Sequence, residues 1–168
     1  MVNIRSREES EASMSWIPEK GYFKLPGSDG RYPNGISAAK DGKSYFVNLY
    51  LDNEVRQHDM HSGEVMARWD VTRPDNSAWT EEGKLWVASH TGSLTSVVRA
   101  MSERDGTPSY LPFAVVEIDP QTSAQREVLH REGPPMGLAT VAIKQGNSVY
   151  LGSFLGDRII QIPLVSEQ

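Results

Sequence analysis

Two stretches of the chain repeat each other: residues 33–48 read PNGISAAKDGKSYFVN, and residues 74–89 read PDNSAWTEEGKLWVAS. The proline, the turn glycine and an aromatic residue after it align at an offset of 41 residues. A third stretch, LATVAIKQGNSVYLGS at 138–153, places its glycine 63 residues after that of the second, and a 22-residue insertion at 91–112 explains the longer spacing. Short Val-, Ile-, Tyr- and Trp-rich segments between glycine turns, repeating near every 40 residues, are typical of β-propeller blades.

The repeats predict an all-β fold, an incomplete β-propeller with four-stranded antiparallel blades and about three blades of a presumed six. Residues 1–13 are polar without periodicity and are predicted to be a disordered tail. The remaining residues, 14–168, divide into a half blade at 14–27, a blade at 33–70, a blade at 74–130 that carries the insertion 91–112, and an incomplete blade at 137–164. Because a closed propeller needs at least about four blades, we expect the C-terminal part of a longer protein. The isolated chain is then expected to be inactive and to self-associate through open blade edges.

Composition excludes several classes of function. The chain has 17 Lys and Arg against 22 Asp and Glu, a net charge of −5, which argues against a nucleic-acid partner. No apolar run is long enough to span a membrane, and no signal segment follows Met1. Zero cysteines exclude disulfides and thiolate chemistry. The compartment is left open by the sequence.

Polar oxygens recur where the innermost strand of a blade begins. Asn34 starts the first blade, and Asp75 and Asn76 start the second, whereas Leu138 stands there in the third, which therefore offers no side-chain ligand. His90 and Phe154 follow or end second strands and are expected at the same end of the blades. Carboxylate and amide oxygens suit a hard cation such as Ca²⁺. Asn-Gly and Asp-Asn pairs are also ordinary turn residues, and a structural role for His90 is an equal alternative.

The insertion contains a helical pattern. Its apolar residues follow i, i+3, i+4, i+7 spacing and predict a short amphipathic helix; they are Leu94, Val97, Val98 and Met101. We expect the helix to cover the channel mouth as a substrate lid, with a loop packed on the blade as the alternative.

The remaining histidines and the tryptophans are predicted to be structural. His58, His61 and His130 fall on outer strands or turns and are expected at the surface. Trp69, Trp79 and Trp86 are expected to pack between blades rather than to stack on a substrate.

Two groups of motifs resemble the senescence-marker-protein/gluconolactonase family, in a superfamily with paraoxonase-like arylesterases. The motifs are Tyr32-Pro33-Asn34-Gly35-Ile36 with Lys40-Asp41-Gly42, and Arg73-Pro74-Asp75-Asn76 with Gly83-Lys84-Leu85-Trp86-Val87-Ala88. The resemblance implies a six-bladed propeller whose central Ca²⁺, or another divalent cation, supports hydrolysis of lactones or related carboxylic esters.

The resemblance also implies roles for individual residues. Asn34 and Asp75 match metal ligands of the family, and Asn76 matches an asparagine beside the aspartate in the paraoxonase-like branch. His90 falls where that branch has a histidine near the pocket, and Asp75 would also assist attack by water. The alternative is a non-catalytic metal-binding or scaffold propeller, and a carbon–nitrogen-bond-forming role of the strictosidine-synthase type comes third.

Overall fold

The computed structural model describes residues 11–103 and 108–164. These residues form thirteen β-strands and one α-helix, and the strands belong to four sheets. Two of the sheets have four strands, one has three and one has two, and none closes into a barrel. This confirms the predicted all-β fold class, an incomplete β-propeller. By its internal contacts the chain divides into two compact units, with the boundary between Pro74 and Asp75.

The first unit contains a hairpin and a four-stranded meander. The strands of this unit are β1 Met14–Ile17, β2 Gly21–Lys24, β3 Pro33–Ala38, β4 Ser44–Leu49, β5 Glu54–Asp59 and β6 Val65–Asp70. The hairpin pairs β1 with β2, and the meander has the order β3-β4-β5-β6.

The core of the first unit forms around β4, in which every residue is buried. Successive side chains of a strand point to opposite faces. Tyr45, Val47 and Leu49 therefore share one face, where they cluster with Leu25, which follows the hairpin. On the other face Phe46 contacts Trp69, with ring centroids 6.0 Å apart. Burial of both faces explains why residues 45–47 of this strand are apolar in succession instead of alternating with polar residues.

His58 is fully buried, and the prediction that it lies at the surface is wrong. Its ring stacks on that of Tyr45 at 5.0 Å, and its Nδ1 lies 3.0 Å from the carbonyl oxygen of Gly63. Burial lowers the pKa of His58, although the hydrogen bond to Gly63 acts in the opposite direction. The prediction is confirmed for His61 and His130, which are exposed.

Gly63 lies where the chain cannot accommodate a side chain. Its φ is +74°, and a Cβ at this position would overlap the main chain of Pro26. Gly42, in the turn between β3 and β4, has a similar φ of +68° but open space around it. Of these two glycines, Gly63 is the one that combines left-handed backbone with close packing.

Part of the predicted tail is paired. Residues 1–10 lie outside the described residues. Glu11 exchanges two main-chain hydrogen bonds with Gly30, and the carbonyl of Ser13 accepts one from the amide of Leu25. Residues 11–13 are thus held against the first unit, which differs from the disordered tail expected at 1–13.

The second unit contains a four-stranded and a three-stranded meander. The elements of this unit are β7 Pro74–Trp79, β8 Leu85–His90, α1 Leu94–Ser102, β9 Phe113–Ile118, β10 Gln125–Arg131, β11 Ala139–Gln145, β12 Ser148–Ser153 and β13 Ile160–Pro163. The strands of the two meanders have the orders β10-β9-β8-β7 and β11-β12-β13.

The two meanders of the second unit pack face to face. Trp86 and Phe113 from the four-stranded sheet share one buried cluster with Ala142, Val149 and Leu151 from the three-stranded sheet. The expected packing role is therefore confirmed for Trp86, which joins two sheets. Its indole Nε1 donates to a carboxylate oxygen of Glu117 at 2.9 Å, so its polar atom is satisfied.

The predicted amphipathic helix is confirmed as α1. The Ser93 side chain caps it by accepting a hydrogen bond from the Ser96 amide at 3.1 Å. Val97 is its buried residue, whereas Leu94 and Met101 are partly exposed. Its role as a lid stays a prediction, and residues 104–107 of the insertion lie outside the described residues. Within the described part of the chain, no helix has the length and apolar character that crossing a membrane requires.

Candidate functional site

Asp75 and Asn76 lie at the start of β7, which is an end strand in the order of its sheet. Asp75 is buried and Asn76 is exposed. The Asn76 amide donates from Nδ2 to Asp75 Oδ1 at 2.6 Å and to the main-chain oxygen of Thr140 at 2.9 Å. One amide group therefore ties a buried carboxylate to the first strand of the neighbouring sheet.

Thr140 reaches this position because β11 is bulged. Ala139 and Val141 pair with Ser153 and Gly152, which are adjacent, so Thr140 is an extra residue in the ladder. The extra residue of a bulge is not paired in the ladder, and its carbonyl can accept from a side chain. Thr140 is a site residue that the sequence did not indicate. The repeats share a pattern of side chains, and this pattern does not indicate Thr140 because the group that contributes here is a main-chain oxygen.

His90 ends β8 and lies beside Asp75. It is buried, and its Nε2 is 3.8 Å from Asp75 Oδ2. This distance exceeds that of a hydrogen bond, but a small side-chain rotation would bring the two atoms into contact. The structure thus brings together three of the four predicted site residues, Asp75, Asn76 and His90, within the second unit.

Phe154 and Thr91 adjoin His90. The Phe154 ring lies 6.3 Å from the imidazole, centroid to centroid, at an interplanar angle of 30°. Phe154 is partly exposed, so it forms an apolar wall between His90 and solvent. The Thr91 hydroxyl is buried and has no hydrogen-bond partner in the described part of the chain. Such a group is usually satisfied by a water or a ligand.

Asn34, the fourth predicted site residue, belongs to the first unit. It is an exposed residue of β3. The β3–β4 pairing shifts register between Pro33 and Ile36, so Asn34 also lies at a bulge. Bulges of this kind re-aim side chains and often adjoin active sites.

The oxygen atoms that the second unit offers are of the chemical type that binds a hard cation. Asp75, Asn76 and Thr140 offer a carboxylate, an amide and a main-chain carbonyl, which are the oxygen types that Ca²⁺ prefers. In the observed arrangement, however, Asn76 presents its NH₂ group to the two acceptors. To share a cation with them, its amide would have to turn and present Oδ1. Among the described residues, no group of three or more His, Asp or Glu side chains could hold a metal.

Comparisons with known proteins indicate the fold. No protein-family model and no curated protein matches the chain. A "putative 6-phosphogluconolactonase" from Bacteroides fragilis matches over 85% of this chain and 37% of its own, with a TM-score of 0.52 and 11% identity. A protein of unknown function from Bacteroides caccae matches over 76% of this chain and 44% of its own, with a TM-score of 0.50 and 17% identity.

The sheets and these likenesses together define a class. The chain is a partial β-propeller, and it spans less than half the length of the two solved structures. At these identities the likeness concerns the fold alone.

Proposed function

We propose that this chain is part of a divalent-cation-dependent hydrolase that acts on lactones or related carboxylic esters, of the senescence-marker-protein/gluconolactonase type. The observation that carries the proposal is the buried carboxylate of Asp75, with His90 3.8 Å away and Asn76 bonded to it. The motifs around Asn34 and Asp75 support it, and so does the description of the Bacteroides fragilis neighbour. Because the chain spans only part of that neighbour, the activity is proposed for the longer protein.

The proposed metal ligands are Asn34, Asp75 and Asn76. Asp75 would supply the negative charge, and Asn76 would supply its amide oxygen after turning from the observed orientation. Asn34 is proposed on the sequence motif alone. Ca²⁺ is the expected cation because every proposed donor is a hard oxygen. When bound, it would polarise a carbonyl and stabilise the oxyanion that forms.

The side chains of the chain would do the remaining chemistry. Asp75 would take a proton from the attacking water, as a buried carboxylate can in general base catalysis. His90 would hold the carboxylate in place and, once protonated, would balance its charge. Phe154 would shield this pair from solvent, which strengthens their electrostatic interaction.

A non-catalytic metal-binding or scaffold propeller is the second candidate. The β-propeller fold hosts many functions, and the amide of Asn76 stabilises the junction between two sheets without any ligand. Metal binding without turnover would favour this candidate.

Calcium titration of the longer protein by calorimetry, followed by a panel of lactones and aryl esters, tests the proposal. Asp75→Asn should weaken Ca²⁺ binding at least as much as the roughly 10–100-fold that loss of an outer-shell partner costs. The matched control is Asp157→Asn, because Asp157 is an exposed carboxylate of the same unit that pairs with Arg158. Absence of Ca²⁺ binding, or equal affinity in both variants, would refute the metal site. Turnover that survives both Asp75→Asn and chelation would refute the mechanism.

A further inference from the structure

A short segment, residues 25–30, follows the hairpin β1–β2 and leads toward the meander of the first unit; we name it the strap. Glu11, before the hairpin, exchanges two main-chain hydrogen bonds with Gly30 of the strap. The amide of Leu25 donates to the carbonyl of Ser13 at 2.9 Å. These bonds join the chain before β1 to the chain after β2, so the hairpin and the strap form one connected piece.

Side chains of the meander hold the strap in place. The Tyr45 hydroxyl donates to the main-chain oxygen of Pro26, and Nη1 of Arg56 donates to that of Asp29 at 3.0 Å. Leu25 packs in the buried cluster that contains Tyr45. Within the meander, by contrast, β4 and β5 are paired along their whole length. We therefore expect opening of the strap to require less free energy than unfolding of the meander.

His58 of β5 lies directly against the strap. A Cβ at Gly27 would overlap the main-chain oxygen of Gly63 and would lie 3.1 Å from Nδ1 of His58, so the strap main chain contacts the imidazole. The imidazole is fully buried, stacks on the ring of Tyr45 and bonds to the oxygen of Gly63. The strap thus closes one side of the space that holds the histidine.

The buried imidazole is suited only to its neutral form. Since the carbonyl of Gly63 can only accept, Nδ1 of His58 donates to it, and Nε2 carries the lone pair. Nε2 is buried and has no hydrogen-bond partner in the described part of the chain. Burial raises the pKa of Tyr45, so this neighbour from β4 is neutral and cannot balance a charge. A protonated His58 would therefore be a buried cation with an unpaired N–H, which is costly unless water reaches it.

The charged groups around His58 do not offset this cost. Arg56 of β5 and Arg68 of β6 both disfavour the imidazolium, and together with burial, the largest cause, they lower its pKa. Glu54 of β5 favours the imidazolium, but its carboxylate is paired with both arginines. On the strap, the carboxylate of Asp29 is already in an ion pair.

We propose that His58 is an acid-sensitive latch: protonation of its imidazole opens the strap and frees the hairpin, while the meander stays folded. Above the ordinary histidine pKa of 6.5 the imidazole is neutral in both forms, and the strap is closed. Below this value the exposed imidazole of the open form takes up a proton more readily than the buried one. The open population therefore rises by up to about tenfold for each pH unit. This inference does not depend on the proposed enzymatic function.

Native-state hydrogen exchange at about pH 7.5 and about pH 5.5, which bracket the ordinary pKa of histidine, tests the latch. The probes are the amides of Leu25 and Gly30, because an isolated hairpin is only marginally stable and loses its bonds once the strap leaves the meander. After correction for the intrinsic pH dependence of exchange, their protection should fall about tenfold at the lower pH. It should stay below the protection of β4 at both pH values.

Variants assign the effect to one histidine. His58→Gln should abolish the fall in protection, and so should His58→Phe, which keeps a ring against Tyr45 but cannot take up a proton. His61→Gln is the matched control, because His61 is an exposed histidine of the following turn, and it should leave the fall unchanged.

The wild-type chain alone can overturn the proposal. Protection at Leu25 and Gly30 that does not change with pH would show that His58 stays buried when the strap opens. Protection equal to that of β4, with the same dependence on denaturant, would show that the strap opens only when the whole unit unfolds. A fall that persists in both His58 variants, or that disappears in His61→Gln, would likewise refute the latch.

Discussion

Replacement of Asn76 by alanine should loosen the junction between β7 and β11. The change removes one hydrogen bond to a carboxylate at 2.6 Å and one to a main-chain oxygen at 2.9 Å. A bond to a charged partner contributes about 1.5–3 kcal/mol and a neutral one about 0.5–1.5 kcal/mol. Because Asn76 is exposed and water replaces part of each bond, we expect a loss near the lower end, about 2 kcal/mol. Native-state hydrogen exchange of β11 measures it as a lower free energy of opening.

Two further variants show whether the amide itself is responsible. Thr140→Val keeps the main-chain acceptor and loses only a weak 3.4 Å bond from its hydroxyl to Gly152, so it should cost clearly less than Asn76→Ala. Asn76→Asp places a second carboxylate against Asp75 and should be the most destabilising of the three, with Ca²⁺ restoring stability if the proposed site exists. A change below about 0.5 kcal/mol for Asn76→Ala, within the range of ordinary surface substitutions, would refute the reasoning.

Three other substitutions give separate tests. The pKa of His58 is below its ordinary value of 6.5, so the unfolded chain binds the proton more readily. The stability of the first unit should therefore fall as pH drops below about 6.5, and His58→Gln should flatten this dependence in unfolding curves. Gly63→Ala should lower the free energy of unfolding by more than the roughly 1–2 kcal/mol expected for a left-handed residue alone, whereas Gly42→Ala should lower it by no more than that amount. Hydrogen exchange of β4 measures both losses. Equal losses would contradict the overlap found at Gly63. Leu151→Ala should cost about 2–5 kcal/mol in denaturant unfolding, because it opens a cavity in the cluster between two sheets, while Ile159→Ala, which is 76% exposed, should have little effect.

The sequence was most informative where local chemistry decides the structure. The turn glycines of the three repeats, Gly42, Gly83 and Gly146, all have positive φ, as a tight turn between strands requires. The helix follows from apolar spacing in the insertion, and Ser93 at its start is a favoured cap. These features depend on a few neighbouring residues, so pattern and structure agree.

Features that depend on distant residues were beyond the sequence. His58 is on a third strand and looks exposed by its position, but Tyr45 and Gly63 enclose it. The third repeat carries Leu138 where the other two carry Asn34 and Asp75, and the structure offers the carbonyl of Thr140 nearby instead. A main-chain oxygen leaves no trace in residue type, because every residue has one. Only the register of β11 against β12 reveals it.

The bulge at Thr140 also sets where this chain can change in length. Ala139 and Ala142 are three residues apart, an odd spacing that a regular strand would place on opposite faces, yet both are buried in the same cluster. The extra residue restores the alternation, so β11 carries one residue more than its partner needs. Insertion or loss of a single residue elsewhere in the strand would turn its remaining side chains to the wrong face. At Thr140 the ladder could shorten by one residue with the pairs on either side intact, at the expense of the carbonyl that holds Asn76. Among related sequences, single-residue length variation in this strand should concentrate there, and it should be accompanied by replacement of that asparagine.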